Sequence, residues 1–272
     1  EIGSVSAEKI GEASFSKNGK TAIIRQQLPS GKNKFLAFYS ENKVLKALPQ
    51  ETEAASPSID GDNIAAVLLN GNIRKIVLID KSGKTTEIIQ TKIPDIVLEW
   101  IGDNIISVKT RPSGTAYGIL YTLDLKTKKL SRILGNVYGL TSLFSQSNKR
   151  ILYSETQSSG TGLELKLYDP DKSTKLQTDI LSLPEKCAWS QDNRIVFCGE
   201  FPTIKNFVMP DDYYKGKLGI LENTIIKKNL DTLDSQKLIG GYFDVFKPSL
   251  SQDETYLFFI NKIDGRLYRL TL

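Results

Sequence analysis

One pattern recurs along the whole chain and limits what it can fold into. A small or apolar lead is followed by a serine, a polar turn, and a run rich in β-branched and aromatic residues. It reads SFSKNGKTAII from Ser14, SPSIDGDNIAAVLL from Ser56 and LEWIGDNIISV from Leu98, then SLFSQSNKRILYS from Ser142, AWSQDNRIVFC from Ala188 and PSLSQDETYLFFI from Pro248. Anchored on Ser16, Ser58, Ile101, Ser145, Ser190 and Ser251, the copies are 42, 43, 44, 45 and 61 residues apart. Asn-Gly, Asp-Gly and Gly-Asp at the turns favour tight reversals between paired strands. A second pattern follows in step with the first. KIVLIDKSGKTTEII, ILYTLDLKTKKLSRIL, ELKLYDPDKSTKLQT and, more loosely, KKNLDTLDSQKLI place Asp80, Asp124, Asp169 and Asp231 between a strand and a turn, 44, 45 and 62 residues apart.

Units of about 43 residues, each holding four short strands, are the sequence signature of a β-propeller. Helical periodicity is almost absent, and the prolines fall between strands rather than inside them. The expected fold is therefore all-β, a single six-bladed β-propeller domain over residues 1–272 with four-stranded antiparallel blades. The units run from Gly11 to Pro49, then to Pro94, Val137, Leu183, Gly240 and Leu272. The sixth stops after its third strand, KIDGRLYRLTL. The N-terminal segment, residues 1–10, is expected to supply the missing outer strand, which would cover an otherwise open edge. The competing reading is a ragged N-terminus and a last blade of three strands.

Composition narrows function. The 272 residues carry 36 Lys and Arg, 31 Asp and Glu, and no histidine, a net charge of +5. The basic residues are scattered among acidic ones, so a mixed solvated surface is expected and no nucleic-acid partner. Without histidine, Ser-His-Asp and Cys-His catalysis and histidine metal sites are excluded. No stretch reaches the roughly eighteen continuous apolar residues of a membrane span. The chain opens EIGSVSAEKI, without methionine. A removed signal peptide, a membrane anchor upstream of the given chain and a trimmed start all fit that opening.

The repeats resemble the six-bladed propellers of the TolB-like group, whose blades read roughly S-P-D-G-x-x-I-x-F followed by Y-x-x-D-x-x-x-G-x-x-x-x-L. SPSIDGDNIAAVLL with VLIDKSGKTTEII, and AWSQDNRIVFC, carry the likeness here. The WD40-like form matches less well, because Gly-His and Trp-Asp signatures are missing. CAWSQDN and MPDDYYKG together also resemble propeller domains of extracytoplasmic, surface-facing or membrane-anchored proteins of small-genome bacteria. The resemblance implies an extracytoplasmic, periplasmic or cell-surface setting. It also implies a protein-binding role, with another protein or a cell-envelope component as partner; a monomeric domain is expected. The separate α/β domain that precedes the propeller in the Tol system is not in this chain.

Candidate sites are few. The fifth unit carries about 16 extra residues between its second and third strands, GEFPTIKNFVMPDDYYKG, here taken as 199–216. Loops of this length in a compact repeat are often functional. Phe201, Phe207, Met209, Asp211, Asp212, Tyr213 and Tyr214 are its candidate binding residues. Two readings stay open: a plug or cap that folds back on the propeller, and an element that offers aromatic anchors to a partner. Adjacent Asp211 and Asp212 do not by themselves supply the oxygens of a calcium site, and no metal or cofactor is expected. Asp80, Asp124 and Asp169 repeat too regularly for catalysis and are expected to accept hydrogen bonds from turn backbone. The serine anchors invite the same reading. No catalytic residue stands out, and the chain reads as a non-enzymatic binding or scaffolding module. The alternative is a carbohydrate-active or other ligand-processing propeller enzyme that uses axial carboxylates. A sialidase-like site is disfavoured, because SIDGD and SQDNR depart from the S-x-D-x-G-x-T-W turn.

The only two cysteines, Cys187 and Cys198, bound CAWSQDNRIVFC. The spacing is not C-x-x-C, and no third cysteine or histidine completes a zinc site. The repeat puts them on adjacent strands of a hairpin, nearly opposite each other. In an exported protein they are expected to form a disulfide, and in a reducing compartment they would be two small buried side chains.

Overall fold

The computed structural model describes residues 10–219 and 222–272. Six antiparallel sheets follow one another along the chain, each built in sequence order. The first holds β1 (Ile10–Phe15), β2 (Thr21–Gln27), β3 (Asn33–Tyr39) and β4 (Val44–Ala47). The second holds β5 (Thr52–Pro57), β6 (Asn63–Asn70), β7 (Ile73–Asp80) and β8 (Thr85–Thr91). The third holds β9 (Ile96–Gly102), β10 (Ile105–Thr110), β11 (Tyr117–Asp124) and β12 (Leu130–Tyr138). Then come β13 (Ser142–Phe144), β14 (Ile151–Glu155), β15 (Glu164–Asp169) and β16 (Thr174–Gln177). The fifth sheet has β17 (Cys187–Trp189), β18 (Ile195–Glu200), β19 (Asn223–Asn229) and β20 (Ser235–Gly241). Among the described residues the sixth has three strands, β21 (Val245–Leu250), β22 (Tyr256–Asn261) and β23 (Arg266–Thr271). The closing strand expected over residues 1–10 lies outside the described residues except for Ile10, which opens β1.

The chain divides into two compact units, one of residues up to Arg111 with Leu120–Leu134, the other of Pro112–Ile119 with Gly135–Leu272. In the first unit, Ile23, Phe35 and Ala37 pack on Ile64, Ala66 and Val77, so the first two sheets bury their facing sides. Ala65, Val67 and Ile76 do the same against Leu98, Ile106 and Val108. In the second unit, Leu152, Leu165 and Leu167 meet Trp189, Val196 and Leu230, and Phe197 and Ile225 meet Val245 and Leu257. Middle strands bury residues on both faces, as in β6, whereas the fourth strands β16 and β20 are mostly exposed and polar or lysine-bearing. Gly199 sits where β18 approaches the sixth sheet. A Cβ there would lie 2.5 Å from that of Val245, so only a glycine lets the sheets come this close.

The recurrent serine explains the turn after each first strand. The backbone N–H groups of Thr21, Asn63, Arg150, Ile195 and Tyr256 donate to the Oγ of Ser16, Ser58, Ser145, Ser190 and Ser251, at 2.9–3.1 Å. Four of these hydroxyls donate in turn to the residue two places on, Asn18, Asp60, Asp192 or Asp253. The third sheet lacks the serine and turns through Asp103 and Asn104 instead. Neighbouring turns also hold each other. The Asn18 side chain donates to Asp60 O, the Ser147 N–H to Asn193 Oδ1, and the Gln191 N–H to Glu254 Oε1.

The later turns are fixed by carboxylates. Asp80 Oδ1 accepts from the N–H of Ser82 and Lys84, Asp124 Oδ1 from Lys126 and Thr127, and Asp169 Oδ1 from Lys172. In the fifth sheet the equivalent position is Asn229, whose Oδ1 accepts from the N–H of Asp231 and Thr232. Asp231 is therefore two places past the repeat position, and it pairs with Arg150 at 2.5 Å. The insertion is also displaced from 199–216. Gly199 and Glu200 pair with Ile225 and Thr224 and belong to β18, so the loop begins at Phe201 and ends where β19 starts at Asn223.

Candidate functional site

The loop between β18 and β19 folds back on the second unit. Phe201, Met209, Tyr213 and Leu218 are buried in one cluster with Leu163 and Leu183, and Phe207 packs on its edge. The Phe201 and Tyr213 rings meet edge to face with centroids 5.3 Å apart. The acidic residues hold the loop's backbone. They open a single helical turn, α1 (Asp211–Tyr214), after a cis Met209–Pro210 peptide. Asp211 Oδ2 accepts from the Gly114 N–H at 2.6 Å. Asp212 Oδ2 accepts from the Val208 N–H at 2.9 Å, and its Oδ1 pairs with Lys217 at 2.8 Å. Lys217, and then the Val208 N–H, keep the Asp212 carboxyl below its usual range. The Met209 N–H donates to Gly160 O, and Gly114 and Gly160 leave room for Val208 and Met209. Tyr214 lies on the outer side at 46% exposure, its hydroxyl donating to Glu185 at 2.5 Å.

Beneath this loop is a charged cluster. Lys186 ends a one-turn 3-10 helix (Pro184–Lys186) that leads into β17, and its side chain has no exposed surface. Its ammonium donates to Asp244 Oδ1 and to Val245 O, and faces the rings of Phe201 at 4.4 Å and Tyr213 at 5.4 Å. Burial brings its pKa down to about 8, while Asp244 pulls the other way. The Tyr213 hydroxyl donates to the same Asp244 oxygen at 3.3 Å, and burial, with Asp244 adding to it, raises its pKa far above that of a free tyrosine. Lys262 donates to Tyr213 O at 2.8 Å and sits 3.5 Å from the centre of that ring. Burial also lowers the Lys262 pKa, against the pull of Asp244 and Glu185.

Above Lys186, a cleft of about 330 Å³ is lined by Phe201, Tyr213, Leu218, Asn223, Asp244 and Lys262, together with Gly216, Gly219 and Ile263. Within it, two charged side chains and a buried amide stand among apolar walls, the make-up of a small ligand site. The first unit has an open cleft of about 390 Å³ beside Lys17, Asn18, Asp60, Trp100 and Asp103. Its turn groups are already engaged with each other, Ser58 with Asp60 and Asn18 with the Asp60 carbonyl, so the second cleft is the stronger candidate.

The structure thus brings Phe201, Phe207, Met209 and Tyr213 together in a cluster, uses Asp211 and Asp212 to fix the loop, and places Tyr214 at the outer edge with its ring 5.9 Å from that of Tyr213. Lys186, Asp244 and Lys262 carry no signal in the sequence. Each looks like a solvated charge beside a strand, and only the fold encloses it. The single hint was the loop's aromatic content, which needs a surface to pack on. One residue from Lys186, Cys187 and Cys198 are direct cross-strand partners with Cα atoms 4.1 Å apart, and they form a disulfide. Among the described residues no group of three or more His, Cys, Asp or Glu converges as a metal site.

No family model and no curated protein matches the chain. Solved structures do. TolB from Acinetobacter baumannii is 12% identical with a TM-score of 0.59, over 89% of this chain and 57% of that one. The chain thus spans little more than half the length of that protein. Hydrazine synthase from Kuenenia stuttgartiensis is 13% identical with a TM-score of 0.66, covering 99% of this chain and 78% of that one. The β-propeller domain of the Trilobed protease from Pyrococcus furiosus is 11% identical with a TM-score of 0.63, covering 98% and 82%. At these identities the likeness speaks to architecture alone, and with the six sheets it shows a six-bladed β-propeller.

Proposed function

We propose that the chain is a non-enzymatic binding module that works outside the cytoplasm and takes a protein or cell-envelope partner at the cleft beneath the 201–222 loop. The observation that carries this reading is how the loop is held. Phe201, Met209 and Tyr213 point inward, and Asp211 and Asp212 tie its backbone, yet the loop leaves one shaped cleft with an apolar wall and two charges. A preformed cleft binds without first ordering a loop. Lys186 is enclosed, has no face toward the cleft and serves as the counter-charge of Asp244. The disulfide supports an oxidising setting, since such bonds persist mainly outside the cytosol.

The test places a charged side chain at the cleft margin. Ile263 is 40% exposed there, so Ile263→Arg is expected to leave the melting transition unchanged. Affinity capture from the native envelope with wild type and Ile263→Arg should then show the variant losing specific partners. An unchanged partner set would sink the cleft as the binding site.

A further inference from the structure

We infer that the cleft takes the free C-terminal end of a peptide, its carboxylate on Lys262 and its last apolar side chain against Phe201, Tyr213 and Ile263. This rests on the binding-module reading above and names its ligand. The argument begins with charge. Asp244 and Lys262 are the two ionised side chains at the wall. Asp244 is compensated from behind, because the fully enclosed Lys186 and the Tyr213 hydroxyl both donate to its Oδ1. Asp244 and Glu185 act on Lys262 only from beyond contact distance. Among the described residues it has no carboxylate within ion-pair distance, and its ammonium is held instead by Tyr213 O and the face of the Tyr213 ring.

An ammonium has three donors, and one of them goes to Tyr213 O. With the Tyr213 ring face also against the ammonium, a remaining donor suits an acceptor entering the cleft, and a cation without a contact carboxylate favours an anion there. Partial burial makes the unpaired charge costly, as the lowered Lys262 pKa reflects, so a carboxylate there recovers energy that water does not. The walls beside it are apolar and aromatic. A chain-terminal carboxylate carries its own side chain on the next atom, so both features are met together. An internal Asp or Glu has only methylenes next to its carboxylate and would leave Phe201 and Ile263 unused. Gly216 adds no side chain at the margin, with nothing within 4 Å of where a Cβ would stand, which leaves space for the peptide backbone.

Calorimetric titration of the disulfide-intact protein tests this with three probes: an N-acetylated tripeptide ending in leucine, the same tripeptide as its C-terminal amide, and the small acid 4-methylpentanoate. The free-acid peptide is expected to bind at least about tenfold more tightly than the amide, the scale of one charge-assisted hydrogen bond. It should also bind more tightly than the small acid. Lys262→Gln should lose that factor and no longer distinguish acid from amide, and Lys262→Arg should retain the distinction. Equal binding of acid and amide, no binding of the acid peptide at millimolar concentration, or discrimination that survives in Lys262→Gln would overturn the inference. So would 4-methylpentanoate binding as tightly as the peptide. Should Lys262→Gln fail to fold, the acid–amide comparison on the wild type still decides. If the acid and amide are equivalent while Ile263→Arg still abolishes partner capture, the carboxylate inference falls and the binding-module reading stands.

Discussion

Lys186 shows most sharply how enclosure changes what a residue does. Removing it leaves Asp244 facing an aromatic cluster without its counter-charge. Lys186→Ala is expected to cost about 3 kcal/mol in denaturant unfolding, whereas the double variant Lys186→Met/Asp244→Leu should recover most of it. The pH dependence has a definite sign. The folded pKa of Lys186 lies near 8, below that of an unfolded lysine, so between the two the unfolded chain holds more protons. Stability from this group therefore rises with pH over that window, and Lys262 acts in the same direction. Tyr153, pushed up to about 12 by burial, and Tyr213 act oppositely, so stability should fall again once unfolded tyrosines ionise near pH 10. A urea midpoint that does not rise between pH 8 and 9.5 in wild type, relative to Lys186→Met, would contradict this assignment. Gly160 is a second constrained residue. Its φ is +79°, and a Cβ would lie 2.6 Å from Val208 Cγ1. Gly160→Ala is expected to destabilise by about 1–3 kcal/mol and to increase hydrogen exchange at Val208 and Met209 first.

At the scale of elements, the unit of construction is the serine-anchored hairpin. Each serine accepts an N–H at the start of the next strand, so its loss leaves a partly buried donor unpaired. Ser190→Ala should cost about 1–2 kcal/mol by thermal unfolding and raise exchange at the Ile195 amide. The same change at position 101 has no counterpart, because that hairpin closes without a serine. The repeat made these hairpins readable, since a hydroxyl at a fixed distance before an alternating strand has few other uses. The loop was readable as an insertion but not in its edges. Gly199 and Glu200 continue a ladder that only strand pairing reveals. The apparent Asp231 equivalence failed for a related reason. An asparagine oxygen accepts turn N–H groups as well as a carboxylate does, so Asn229 holds the position.

At the scale of the molecule, the disulfide joins two strands of the fifth sheet inside the second unit and closes a short loop. Its reduction is expected to cost about 2–4 kcal/mol, and thiol titration of the unreduced protein should find no reactive cysteine. Hydrogen exchange after reduction should rise in β17 and β18 before it rises in the sheets of the first unit. The sequence by itself determined the strand-and-turn period, the number of blades, the hairpin anchors and the opposition of the two cysteines, because each follows from contacts between residues near in sequence. Only the tertiary structure decided that the loop's aromatics face inward, that Lys186 and Asp244 pair across 58 residues, and that Lys262 is left over at a cleft wall. Burial of a charge depends on what distant segments bring around it, and a lysine written beside a strand reads the same whether it ends in water or under an aromatic ring.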